Sequence, residues 1–375
     1  MGTANTALEF FAGRLMALNE GDLPWSLRIL CDGALETIGA CTFDGSIATR
    51  TFTAHPKVDS RADELLWFCY AIDSTPHLTF GVIGADGKAA HTTAVPIRFP
   101  QMMHDFACTA SYAVFWDLPL LFDPKVMVTE DRLPFVFDKA RGARFGLLQR
   151  RAEGATTRWF DLPGCMIFHG LGAWEEEEGQ LVRLVACRME HFSLELAPKG
   201  KDHAPRTVDG GSPQPYEFVF DLRTGEATQS PVVALPAGCT GMDFPRAHPK
   251  LTGQKLRYGY FAMFEGLIIT GVAKVDLARR EIVGRIDYPA DASGGEAVFV
   301  PAHEGAPPTP EDEDDGWLFT YVSTTTASAL WVMDAKTMSP TPVAVVDLPA
   351  RMPWGFHSTF VSEAQLASQR DAAAH

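Results

Sequence analysis

With 375 residues, 46% of them hydrophobic and 21% charged, the chain reads as globular rather than disordered. A formal net charge of -15 disfavours nucleic acid as a partner, because phosphates need a basic surface, and disfavours purely electrostatic attachment to anionic lipid. Seven cysteines, an odd count with no CxxC pair, argue against a disulfide framework or a zinc knuckle.

In chain order, MGTANTALEFF comes first and lacks the basic and apolar regions of a secretory signal. Short apolar runs follow: TRTFTA, ELLWFCYAI, HLTFGVIG, YAVFWDLPLLF, RFGLLQR, YEFVFDL, AVFVPA, WLFTYV and ALWVMD. They are rich in Val, Phe, Tyr, Thr and Trp, too short for most helices, and far too short to span a membrane. Turn residues separate them at 85–88 (ADGK), 223–226 (RTGE) and 277–281 (LARRE). This is the all-β pattern of repeated hairpins. Residues 196–216 read as a polar insertion and 304–315 as an exposed acidic loop. The tail from Ser362 reads as a short surface helix or a disordered end.

A weak repeat underlies the hairpins. Asp221, Asp276 and Asp334 each close an apolar run before a turn, as Asp32 and Asp86 do earlier. The intervals are roughly 55 residues, slightly longer than four-stranded propeller blades of ~40–50 residues. A propeller with insertions fits. A sandwich with chance spacing stays open.

Four histidines stand where an apolar approach ends in an abrupt turn: His55, His104, His169 and His357. Imidazole is a preferred ligand for iron, zinc and copper. Residues so far apart meet only where strands converge, as on the axis of a radial β-fold. The other seven (His77, His91, His191, His203, His248, His303 and His375) lie in polar or turn-like contexts and read as solvated or hydrogen-bonded. Spacing alone leaves open both a metal site and four unrelated core histidines. Metal-bound histidines usually donate their outer N–H to a carboxylate or carbonyl. Glu20, Asp243 and Glu296 are candidates, each equally readable as a solvated turn residue.

The strings GRLMALNEGDLPW, TAHPKVD, LLWFCY, MMHDFACT, FHGLGAWEE, DFPRAHPKLTGQKLRYGY, GGEAVFVP and WGFHSTFV resemble the carotenoid cleavage oxygenase family, in family order over nearly the whole chain. The resemblance implies one domain over 1–375: a seven-bladed β-propeller with one Fe(II) on its axis. It implies His55, His104, His169 and His357 as metal ligands and catalytic centre. Glu20 is expected to serve His104, Asp243 to serve His169 and Glu296 to serve His357. Asp243 departs from the family's glutamate, so a shifted strand or a water is expected to bridge the missing methylene.

The implied activity is cleavage of a conjugated double bond of a carotenoid or apocarotenoid by O₂, giving two carbonyl products and needing no organic cofactor. Phe106, Phe168, Trp174 and Phe356 are candidates to line the tunnel for the polyene. Cleavage of a stilbene-like phenolic alkene is an alternative, but that branch is expected to carry a lysine where Asn19 stands. The resemblance also implies further sequence before GRLMALNEG, with the first blade or two missing. About five recognisable blades and an open flank are then expected, and an inactive propeller fragment is the non-enzymatic alternative. Phe115, Leu118, Leu120, Leu121 and Phe122 are candidates for peripheral membrane contact. The location reads as cytoplasmic, with a plastid left open.

Overall fold

The computed structural model describes residues 3–129, 134–152, 154–192, 211–305 and 307–370. Most of the polar insertion at 196–216, together with His203 and His375, lies outside them.

The strands assort into consecutive antiparallel sheets in which each pairs with the next. The first blade is Ala7–Phe11, Arg14–Leu18, Trp25–Ile29 and Leu35–Ala40. The second is Lys57–Asp59, Glu64–Tyr70, Leu78–Ile83 and Ala89–Ala94. The third is Ala107–Cys108, Tyr112–Asp117, Ala143–Gln149 and Arg158–Leu162, with a side hairpin of Leu120–Phe122 and Phe135–Phe137. The fourth is Met166–Glu176, Leu181–Met189, Gln214–Asp221 and Ala227–Pro231. The fifth is Gly241–Arg246, Tyr258–Glu265, Ile268–Asp276 and Glu281–Asp287. In the sixth, the first strand is split into Ser293–Gly294 and Val298–Pro301, and Gly316–Ser323, Ser328–Asp334 and Ala344–Asp347 follow. The fold is an all-β propeller with six blades among the described residues, not the five expected. The difference lies at the N-terminus, where residues 7–40 complete a four-stranded blade of their own.

The weak aspartate repeat marks one turn, between the third and fourth strands of a blade. Asp32, Asp86, Asp221, Asp276 and Asp334 accept the backbone N–H of Ala34, Lys88, Arg223, Arg279 and Lys336 at 3.0, 3.0, 2.7, 2.9 and 3.0 Å. A short carboxylate that reaches its own backbone two or three residues on is a turn former, which is why aspartate recurs there.

Burial explains the apolar runs. Successive strand side chains point to opposite faces, and a blade packed on both sides needs both apolar. In Glu64–Tyr70, Leu65 and Trp67 pack with Phe11, Met16 and Phe52, while Leu66 and Phe68 pack with Phe80, Phe106 and Phe115. Five such cores join the blades in sequence, from first–second to fifth–sixth. Each buried Phe or Leu contributes about 1.5–3 kcal/mol. Arg150 stitches the second blade to the third by bonding Asp59 (2.8 Å), Glu64 (2.6 Å) and the Thr109 carbonyl (2.9 Å).

The flank between the sixth and first blades differs. The outer strand Ala344–Asp347 is exposed along its length, and Val345 and Val346 are each 52% accessible. Across this flank runs a C-terminal strap, 348–370, which returns to the first blade. Its helix Glu363–Ala367 carries a capping box from Ser362 and Gln365. Gln369 then bonds both backbone groups of Ile29 (2.8 and 3.1 Å), and Arg370 N–H donates to the Gly13 carbonyl (2.9 Å). Gly13 sits at φ +75, and a Cβ there would stand 2.6 Å from the Ser368 carbonyl, so the strap needs glycine at this turn.

Two surface readings are corrected. The acidic loop is not exposed throughout: Glu313 accepts the N–H of Arg257 (2.9 Å) and Tyr258 (2.8 Å), and Asp314 pairs with buried Lys274 (2.6 Å). Buried N–H groups and a buried ammonium need partners, and the loop's end supplies them. Of the proposed membrane patch, Phe115, Leu118 and Leu120 are buried and Leu121 and Phe122 half-buried. The exposed apolar residues nearby are Met127 and Val128, on the short helix Lys125–Thr129. No described helix is long and apolar enough to cross a membrane.

Candidate metal centre

The first strands of the blades surround the axis, and the histidines enter from them. His55 lies two residues before the first strand of the second blade, and His104 three before that of the third. His169 lies within the first strand of the fourth, where the register with its neighbour shifts between Ile167 and Gly170. His357 comes from the strap, and its N–H donates to the Thr6 carbonyl of the first blade (3.2 Å). The structure brings all four together: one ring nitrogen from each lies within 4.8 Å of the others. Nε2 of His104 is 3.0 Å from that of His55 and 3.2 Å from that of His169.

Three rings have carboxylates behind them. Glu20 meets Nδ1 of His104, Asp243 accepts from Nδ1 of His169 at 2.8 Å, and Glu296 accepts from Nδ1 of His357 at 2.9 Å. The Asp243 contact is direct, so neither a gap nor a bridging water is needed. A break in strand register between Asp243 and Arg246, with Phe244 in the left-handed region (φ +50), brings the shorter carboxylate into reach. Among the described residues, no carboxylate stands behind His55. Burial, the three neighbouring imidazoles and Lys57 push its pKa well below the ordinary histidine value, so it is neutral. Burial alone would raise the Glu20 and Glu296 carboxyls. Contact with His104 outweighs this for Glu20, and Arg246 and His357 outweigh it for Glu296, so both titrate below the usual range.

This donor set fits a divalent metal. A carboxylate that accepts from Nδ1 fixes the proton there and leaves a lone pair on Nε2. The Nε2 atoms of His104 and His169, 3.2 Å apart, then face each other as two acceptors. A cation between them satisfies both. Four neutral nitrogen donors suit a borderline transition metal such as Fe(II).

Two further charged residues tie the ligand segments together. Asp105, buried beside His104, accepts from Lys57 Nζ (2.6 Å), from its neighbour Phe106 N–H (2.7 Å) and from Gly170 N–H (2.9 Å). It thereby joins the segments carrying His55, His104 and His169. Arg246 does the same around His357, through Glu296 and Ser358. Sequence reasoning singled out neither. The signal was adjacency, since Asp105 follows a ligand and Arg246 stands three residues after Asp243.

The centre has two kinds of surroundings. A cavity of about 570 Å³ along the axis is lined by Glu9, Lys57, Asp105, Arg246 and Glu296 as well as His55, His169 and His357. Aromatic rings that do not line this cavity also touch the imidazoles. Phe168 lies edge-on to His104 (5.2 Å between centroids), and Phe244 lies against His169 (5.1 Å) and His357 (5.0 Å). Phe192 and Phe264 extend that apolar surface through Phe168 and Phe244. Of the proposed tunnel residues, Phe168 is therefore beside the centre. Phe106 packs in an inter-blade core but also lines the axial cavity, Trp174 is buried in an inter-blade core, and Phe356 is exposed. Phe244, which reaches two imidazoles, was missed.

A family model described as retinal pigment epithelial membrane protein matches residues 1–362. The carotenoid 9,10(9',10')-cleavage dioxygenase 1 of Pisum sativum is 41% identical over 384 residues, which cover 98% of this chain and 68% of that one. The zeaxanthin 7,8(7',8')-cleavage dioxygenase of Crocus sativus is 35% identical and covers 99% of this chain and 98% of that one. The crystal structure of Pseudomonas brassicacearum lignostilbene dioxygenase superposes with a TM-score of 0.82 at 26% identity, over 95% of this chain and 75% of that one.

Proposed function

We propose, for a chain that belongs to the retinal pigment epithelial membrane protein family, iron-dependent oxygenative cleavage of a conjugated double bond in a carotenoid or apocarotenoid, with two carbonyl products. The observation that carries this reading is the convergence of four imidazole nitrogens, three of them oriented by carboxylates. In it, His55, His104, His169 and His357 are the metal ligands, and Glu20, Asp243 and Glu296 orient three of them. Ferrous iron, when bound, supplies the capacity to activate O₂, which no side chain has.

The remaining work falls to the protein. Neutral imidazoles leave the metal its full positive charge. Phe168 and Phe244 offer π surfaces on which a polyene lies flat beside the centre. In this reading the polyene approaches along these aromatic rings. Holding one double bond there is a positioning effect, and a small misplacement costs rate steeply.

In this reading residues 1–375 are one domain on a seven-bladed plan. The six blades, the five packed interfaces and the uncovered faces of the sixth and first blades support it. Peripheral membrane contact, to collect an apolar substrate, rests on Met127 and Val128. The likeness to a lignostilbene dioxygenase favours a phenolic alkene as second substrate class. Asn19 speaks against it: its side chain bonds Gly21 N–H (2.9 Å) and Thr6 (3.1 Å) and serves the turn.

The test is turnover of an apocarotenal by iron-loaded protein under ¹⁸O₂. Loss of polyene absorbance with labelled oxygen in both carbonyl products is expected. Turnover of a stilbene alone would select the second reading. Iron binding without any turnover would leave the chain an inactive propeller fragment.

A further inference from the structure

His357 is carried by the C-terminal strap rather than by a blade, and its N–H donates to the Thr6 carbonyl of the first blade (3.2 Å). It lies on a stretch without regular secondary structure, flanked by exposed Trp354 and Phe356. His169 stands inside a blade strand, and His55 and His104 stand two and three residues before one. Something else must hold His357 on the axis.

We infer that Arg246 is a positioning residue for His357, anchoring the C-terminal strap to the fifth and sixth blades through Glu296 and Ser358. This rests on the reading of His357 as a metal ligand. Glu296 uses Oε1 for the His357 ring and Oε2 for Arg246 (2.7 Å) and Ser358 N–H (3.0 Å). The same Nη2 of Arg246 also donates to the Ser358 carbonyl (2.9 Å). The residue after the ligand is therefore pinned through both its N–H and its C=O, and the ligand's own ring is pinned through the same carboxylate.

Arg246 reaches both acceptors through a single nitrogen, Nη2. Arg246 faces the axial cavity, with about a third of its side-chain surface open there. Among the described residues, neither Glu20 nor Asp243 has an arginine or lysine in ion-pair contact, so this device belongs to the strap-borne ligand alone. Removing the guanidinium leaves Glu296 buried without its cation and Ser358 free on one side.

The experiment is a Co(II) titration of the full chain, read by visible ligand-field absorption and followed by thermal melting. Arg246→Gln is expected to weaken Co(II) by ~10–100-fold, the scale for losing an outer partner of a metal ligand. The ligand-field bands should change too, because the His357 ring shifts. A purely structural role would lower the melting temperature and leave the spectrum of the folded protein unaltered. Arg246→Lys keeps the charge and one donating nitrogen on a shorter side chain, so partial rescue is expected. It decides the matter if the Gln variant does not fold. Wild-type affinity and spectrum in either folded variant would overturn the inference. A wild-type chain that binds no Co(II) or Fe(II) would instead overturn the metal reading beneath it.

Discussion

Three of the histidines ride on blades and one rides on a strap, and the two arrangements are held by different means. His55, His104 and His169 inherit their places from paired strands and packed cores, with Asp105 joining their segments. Their geometry is a by-product of the fold. His357 rides on the strap, tied to the first blade by one backbone bond to Thr6 and otherwise held by the side chains of Glu296 and Arg246. A change near the blade-borne ligands should therefore disturb stability and metal together. A change near His357 should disturb metal with little effect on the fold.

The largest effects separate the two kinds of ligand directly. His169→Ala and His357→Ala should each weaken metal binding by more than the ~10–100-fold of an outer carboxylate. In chelator, however, His169→Ala should also lower the melting temperature, because buried Asp243 loses its side-chain partner. His357→Ala should leave it nearly unchanged, since Glu296 keeps Arg246 and the Ser358 N–H. Equal melting shifts for the two variants would erase the distinction.

Next comes Asp105→Ala. It leaves Lys57 and the Gly170 N–H without their partner in a buried setting, for which about 3–5 kcal/mol is expected. Urea unfolding of the metal-free chain measures this, and a loss below ~1 kcal/mol would show that Asp105 is not a structural hub.

Asp243→Glu follows. The carboxylate already reaches His169 at 2.8 Å from a buried position, so an added methylene must displace something. A loss of about 1–3 kcal/mol in apo stability is expected. A stabilised variant that binds metal more tightly would mean that the bulged strand has slack.

The smallest effect is electrostatic and lies far from the centre. Arg188 and Lys139 hold the Glu190 carboxyl down to about 2. A depressed carboxyl stabilises the fold above its unfolded pKa, ~4.3, and that contribution is lost as pH falls through about 2. Glu190 is mostly exposed, so solvent screening limits it to less than ~1 kcal/mol. Glu190→Gln should flatten the acid limb of the stability curve in that window and leave metal binding unchanged.

Much of this was legible in the residues. The turn aspartates announced the blades, because one physical role, closing the third-to-fourth turn, recurs in five of them. Continuous apolar runs such as LLWF announced sheets packed on both faces. The four histidines shared a local context, yet only the family resemblance joined them, since no local spacing encodes a meeting of distant strands. Asp105, Arg246 and Phe244 were hidden for that reason: their partners come from other blades. Trp174 misled because adjacency to a histidine along a strand says nothing about which face a ring takes. Trp174 turns into the core between the fourth and fifth blades.

The central claim is that four histidines hold one iron. Anaerobic titration of the chain with Fe(II), followed by X-ray absorption at the iron edge, tests it most directly. One iron per chain with four imidazole nitrogens near ~2.1 Å is the result predicted. Iron that binds with oxygen or sulfur ligands, or equally well to a chain lacking His104 and His169, would contradict it.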